Sequence, residues 1–164
     1  MGLDMHLSGE KFFVPDYKTL QAEYEAGKER PSPSEARTLG KPVDADGEHM
    51  SSTQHDLGYW RKFAPLHEYI VETFADGVDE CQRIELEVDD LEKIAVALTD
   101  DALPSNGDCG GFFFGDGEGW DEYRAEAVEH AEKIRAAAQW VKAAPLHPSG
   151  SHAQWRSVHY QASW

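Results

Sequence analysis

The sequence predicts an α+β domain: a small antiparallel sheet that includes both terminal strands, with two to three helices packed on one face. Three observations predict it. Apolar and polar residues alternate near the start, near the middle and at the end of the chain, which is the signature of half-buried strands. Longer segments between them repeat their apolar residues every three and four positions, the spacing of an amphipathic helix. At 164 residues and 40% hydrophobic, the chain suits a single domain, 1–164, that buries a core without help from disulfides.

The first strand is read from "GLDMHLSGEKFFV", where Leu3, Met5 and Leu7 share one face and Asp4, His6 and Ser8 the other. "DYKTLQAEYEAGKERP" predicts a short helix that begins at Asp16 and stops near Gly27 and Pro31. Residues 31–56 are rich in Pro, Gly, Ser and Asp and read as a mobile surface loop or insertion. The strongest helical signal is "GYWRKFAPLHEYIVETFADG", whose Tyr59, Trp60, Phe63, Leu66, Ile70, Val71 and Phe74 form one stripe. Pro65 lacks a backbone donor, so the helix either starts near Phe63 or kinks there. Gly77 is placed to end it, and Val78 is expected to plug the core.

"CQRIELEV" alternates again, with Gln82, Ile84, Leu86 and Val88 on one face. Asp89, followed three residues later by Glu92, then predicts the start of a helix carrying Leu91, Ile94, Ala95 and Leu98 inward. A glycine-rich loop follows, with Phe112, Phe113 and Phe114 in its middle. A long helix is expected from Trp120 to about Ala143, and "RSVHYQASW" closes the chain as a strand with Val158, Tyr160, Ala162 and Trp164 on one face.

The formal charge is −16, and it is uneven. Residues 58–118 hold 15 acids against 4 bases, whereas residues 119–164 hold 5 of each. A field this negative excludes direct nucleic-acid binding and repels anionic lipid, but it suits a basic protein partner or simple solubility. No apolar stretch approaches a membrane span, and the sequence starts without a secretory pattern, so a cytoplasmic location is expected. Two cysteines without a paired spacing agree with a reducing compartment.

The best polar cluster lies between residues 59 and 82. Arg61, Lys62 and His67 accompany the apolar stripe, and Asp79, Glu80, Cys81 and Gln82 follow its end. His67 paired with Asp79 or Glu80 has the makings of a general base, and Arg61 of a planar fork for an anionic or carbonyl group. Ordinary salt bridging around a helix end accounts for the same charges. Acidic neighbours disfavour the Cys81 thiolate, and no spacing of His or Cys announces a metal site, so neither a metal nor a cofactor is expected. The loop around Phe113 carries Asp108, Asp116 and Glu118, which would repel phosphate, and its acids miss the calcium-loop spacing.

"MGLDM", "YWRK" with a histidine five residues on, "DGVDECQ", "GFFFG" followed by "WDEY", and "YQASW" occur in this order along the chain. Together they resemble a family of small uncharacterised proteins encoded by bacteriophages and prophages. His6 stands where the family leads one to expect an aromatic, and Pro65 interrupts the helix. The resemblance implies a viral accessory protein acting in a bacterial cytoplasm, and it brings no reaction with it.

Three functions follow as expectations. The first is a non-enzymatic binding protein, with a host-takeover or anti-defence role, for a host protein or a small-molecule ligand. Its contact surface would use Trp60, Arg61, Lys62, His67, Asp79, Glu80, Gln82 and Phe113, joined by Tyr160 and Trp164. The second is a small hydrolase or transferase on a nucleotide-like or carbonyl substrate, with His67 as base, Asp79 or Glu80 orienting it, and Arg61 stabilising charge. The third is an acidic nucleic-acid mimic, with Glu68, Glu72, Glu85 and Glu87 on one surface. The sequence leaves the oligomeric state open.

Overall fold

The structure is a computed structural model that describes residues 2–104, 120–144 and 154–164. Cys109 and the aromatic triplet Phe112–Phe114 lie outside the described residues. The fold is α+β. Strands β1 (Asp4–Phe13), β2 (Ser52–Arg61), β3 (Ile84–Leu86) and β4 (Gln154–Ser163) form one antiparallel sheet in the order β2-β1-β4-β3. Both terminal strands therefore join the sheet, and they pair with each other at its centre.

The chain gathers into two compact units. The first comprises Met1–Gly9, His55–Lys142 and Ser157–Trp164. Its core is built from the alternation seen in the sequence: Leu3 just before β1, Met5 and Leu7 from β1, Ile84 and Leu86 from β3, and Val158, Tyr160 and Ala162 from β4 are all buried. Helices α3 (Ala64–Phe74), α4 (Val88–Thr99), α5 (Trp120–Ala125) and α6 (Ala127–Lys142) belong to the same unit. Leu66 and Ile70 of α3, Leu91 and Ile94 of α4, and Ala131, Ile134 and Ala138 of α6 complete the core. α4 lies against α6, and Glu92 reaches Arg135 at 3.7 Å and Lys142 at 3.9 Å across that contact.

Several boundaries differ from expectation, each for a local reason. Tyr59, Trp60 and Arg61 end strand β2 rather than opening a helix. Lys62, at φ 56°, turns the chain out of the strand, and Pro65 then sits in the first turn of α3, where its missing N–H costs no hydrogen bond. Along β2 the more buried positions change from odd (His55, Leu57) to even (Gly58, Trp60). The inward face thus switches between Leu57 and Gly58, where the Gly58 N–H bonds the Asp56 carboxylate at 3.2 Å.

Strand β3 spans three residues because Cys81, at φ 57°, is not extended and Glu87 already caps α4. Thus α4 begins two residues earlier than expected, capped by Glu87 rather than Asp89, with a reciprocal cap between Glu87 and Asp90. The expected single helix after Trp120 is two. Glu126 separates α5 from α6, although its N–H to Glu122 and its carbonyl to the His130 N–H, both 3.0 Å, carry the helical ladder through.

After α3, Ala75 and Gly77 both donate to the Val71 carbonyl, at 3.0 and 3.1 Å. Asp76 at φ 52° and Gly77 at φ 73° make that reversal, so Gly77 does end the helix region. Val78, expected in the core, is instead 47% exposed, because the two left-handed residues swing it outward.

The second unit comprises Glu10–Gln54 and Ala143–Arg156. Helix α1 (Tyr17–Glu25) starts as expected at Asp16, whose side chain accepts from the Thr19 N–H at 3.2 Å. The segment 31–56 is more ordered than a loop: it contains α2 (Pro33–Thr38), capped reciprocally by Ser32 and Glu35, a bridge between Val43 and His49, and the start of β2.

Candidate functional site

His67 is the centre of the candidate site. It lies on the buried stripe of α3, between Leu66 and Ile70, and is 3% exposed. A polar ring in such a place must find partners, and it finds one for each nitrogen. Nδ1 meets the Tyr160 hydroxyl at 2.7 Å, and Nε2 meets the Asp79 carboxylate at 3.0 Å. Tyr160 comes from the inward face of β4, and Asp79 from the turn that Asp76 and Gly77 create. The Trp164 ring stands edge-on to His67, centroids 5.5 Å apart. The sequence thus named four residues, His67, Asp79, Tyr160 and Trp164, that the fold brings together.

The protonation pattern follows from chemistry. An ionised Asp79 only accepts, so Nε2 carries a hydrogen and donates it. With the ring neutral, Nδ1 accepts from the Tyr160 O–H; with the ring charged, Nδ1 donates to the phenol oxygen. Neither state leaves a ring nitrogen open. Burial, aided by the charge of Asp79, pushes the Tyr160 phenol well above its ordinary range, so it stays protonated. Of the three bonded groups only Asp79 reaches the surface, with its side chain 31% exposed.

The remaining predicted residues are engaged elsewhere. Glu80 and Gln82 close their own loop: the Glu80 N–H donates to Gln82 Oε1 at 2.7 Å, and Gln82 Nε2 donates to the Val78 carbonyl. Gln161 Nε2 holds the Cys81 carbonyl at 3.0 Å. Arg61 pairs with Asp4 at 3.8 Å, with its side chain 61% exposed, and Lys62 donates its N–H to the Leu3 carbonyl at 2.7 Å. Trp60 is 3% exposed and gives its indole N–H to His130. Phe113 lies outside the described residues. Glu72, Glu85 and Glu87 are exposed, whereas Glu68 is half-buried and turns one carboxylate oxygen inward.

Two polar arrangements escaped the sequence. On β1 and β2, Asp4 accepts from the Tyr59 hydroxyl, which raises the Tyr59 pKa, and the His6 ring lies 5.1 Å from that of Tyr59. Reading 59 and 61 as strand positions on the face of Asp4 would have found it. The second gathers Trp60, Phe63, Tyr123 and His130; its one sequence signal is Glu126 four positions before His130.

In the second unit, a groove of about 860 Å³ is bordered by Leu20, Lys28, Arg30, Glu35, Leu39 and Lys41, none of them a predicted site residue. Among the described residues, no helix is long and apolar enough to cross a membrane. Comparison of the chain with protein families, with curated proteins and with solved structures gave no match.

Proposed function

We propose that this protein is a non-enzymatic accessory binding protein of bacteriophage origin that engages a basic surface of a host protein in the bacterial cytoplasm. The observation that carries the reading is the engagement of both ring nitrogens of a buried His67 by Tyr160 and Asp79. A general base needs a nitrogen within reach of substrate, and this ring spends both on holding α3, β4 and the 76–82 turn together. What remains for function is the surface. Glu72, Asp76, Asp79, Glu80, Glu85, Glu87 and Asp89 are exposed, and Arg83 is the only Lys or Arg between residues 72 and 92. Opposite charge on a partner would speed encounter and fix orientation.

The reading of a small hydrolase or transferase draws on the 3.0 Å contact between His67 and Asp79. It requires His67 to release Asp79 or Tyr160 before it can take a proton from a substrate.

One experiment separates them. The protein is cross-linked in host lysate at increasing salt, beside a variant with Glu85→Lys and Glu87→Lys and a control with Glu129→Lys and Glu132→Lys. Binding should weaken steeply with salt and with the first variant only. Capture indifferent to salt and to both variants sinks the proposal. Turnover of a metabolite panel that His67→Ala abolishes would install the enzymatic reading in its place.

A further inference from the structure

His130 is the second buried histidine, and the folded core holds it differently from His67. It is 4% exposed on the inner face of α6. Its Nδ1 accepts the indole N–H of Trp60 at 3.2 Å. An indole only donates, so Nδ1 must be bare and the single ring proton sits on Nε2. That Nε2 is buried, finds no hydrogen-bond partner among the described residues, and the Glu126 carboxylate stands 3.6 Å away, just beyond a good bond.

Around this ring the α5–α6 corner is pinned to the junction of β2 and α3. Tyr123 of α5 stacks on Phe63, with centroids 4.2 Å apart and planes within 8°. Its hydroxyl donates to the Arg61 carbonyl at 2.6 Å and accepts the Arg61 N–H at 3.3 Å. The rings of Phe63 and Tyr123 lie 6.2 and 5.5 Å from that of His130.

We propose that His130 is an acid-released latch, which docks the α5–α6 corner against the β2–α3 junction while its ring is neutral and frees it when the ring takes a second proton. A proton on Nδ1 would face the Trp60 N–H donor to donor, and the 3.2 Å bond would become a repulsion. Among the described residues, the charged groups that act on the ring sit on its own helix or at the corner. Burial disfavours the charged ring most, Lys133 adds to that, and Glu126 and Glu129 oppose it. From β2 and α3 the neighbours Trp60 and Phe63 carry no charge, the Arg61 guanidinium is turned to Asp4, and from α5 comes only the Tyr123 phenol.

The sign follows. The unfolded chain takes the proton near the ordinary value of 6.5 and the docked ring only below it, so docking weakens as pH falls from 6.5 downward. The Glu126 carboxylate becomes the partner of the freed, charged ring at the half-exposed corner.

Amide hydrogen exchange at 126–134, followed from pH 7.5 to 5.5 and corrected for intrinsic rates, tests this in the whole chain. Protection in the wild type should fall progressively as pH drops below 6.5, because the docked ring resists the second proton that the released one accepts. His130→Asn keeps an acceptor for Trp60 but cannot titrate, and its protection should be flat. An undiminished acid response in that variant overturns the proposal. Should the variant fail to fold, ring nitrogen shifts of His130 in the wild type decide. The Nε2–H form should prevail at pH 7.5 and the charged ring should appear in step with the lost protection. Loosening with a neutral ring, or a charged ring in a closed corner, overturns it.

Discussion

Tyr160 shows what a single buried side chain does here. Its hydroxyl completes His67 inside the core, so Tyr160→Phe removes the hydroxyl bonded to a buried ring nitrogen. The expected loss is about 1–3 kcal/mol in urea denaturation. The same residue sets an alkaline limit. Burial holds its proton in the folded state, whereas the unfolded chain releases it near 10.0, so stability falls as pH rises above that value. Denaturation midpoints from pH 8 to 11 should show the decline, and Tyr160→Phe should flatten it except for the share due to Tyr59, whose pKa is raised by Asp4. His67 and Asp79 were legible together because one lies on an apolar helix and the other just past that helix's end. Arg61 joins them only where a helical stripe runs through it. Once 59–61 is a strand, Arg61 meets Asp4 on the neighbouring strand, a contact 57 positions away that no local spacing announces.

Among the elements, the strands with clean alternation were legible and the irregular one was not. β1 and β4 face inward with the residues their period-two pattern names, since one face of each is buried. β2 hides because it opens with the polar Ser52–Asp56 and then shifts its buried face at Gly58. Its end also supplies apolar residues at spacings that fit α3 equally well. Between β1 and β2 the space is tight. A Cβ at Gly9 would come within 2.9 Å of Leu57 and of the Trp140 ring. Gly9→Ala should therefore cost about 1–3 kcal/mol by chemical denaturation, the usual effect of overpacking. At α4 the reciprocal cap sets the start, and Lys93 also pairs with Asp90 at 2.9 Å. Asp90→Ala should lower stability by about 0.5–2 kcal/mol, read from the shift in denaturation midpoint.

For the whole molecule, the charge of −16 opposes compaction, since the acids repel one another more in the folded chain than in an expanded one. Sodium chloride screens that repulsion over about 8–10 Å near physiological strength. The thermal midpoint should thus rise between 10 and 300 mM salt (approximate working concentrations spanning that screening range), and a flat or falling midpoint would show that the carboxylates are already balanced. The fold class was legible because alternation at both termini demands a sheet. The order of its strands was not, because pairing between distant segments leaves no mark on either. That order has a consequence for biosynthesis. The two central strands, β1 and β4, touch through Ser8 and His159, which lie 151 positions apart. A ribosome delivers the first of them long before the second exists. Until then β1 and β3 have no neighbour between them, and the apolar faces of α3 and α4 lack the floor they settle on. The nascent chain must stay unaggregated through that wait, and its own negative charge is well suited to keeping copies apart. Closing so long a loop late also predicts slow refolding, in milliseconds to seconds rather than microseconds.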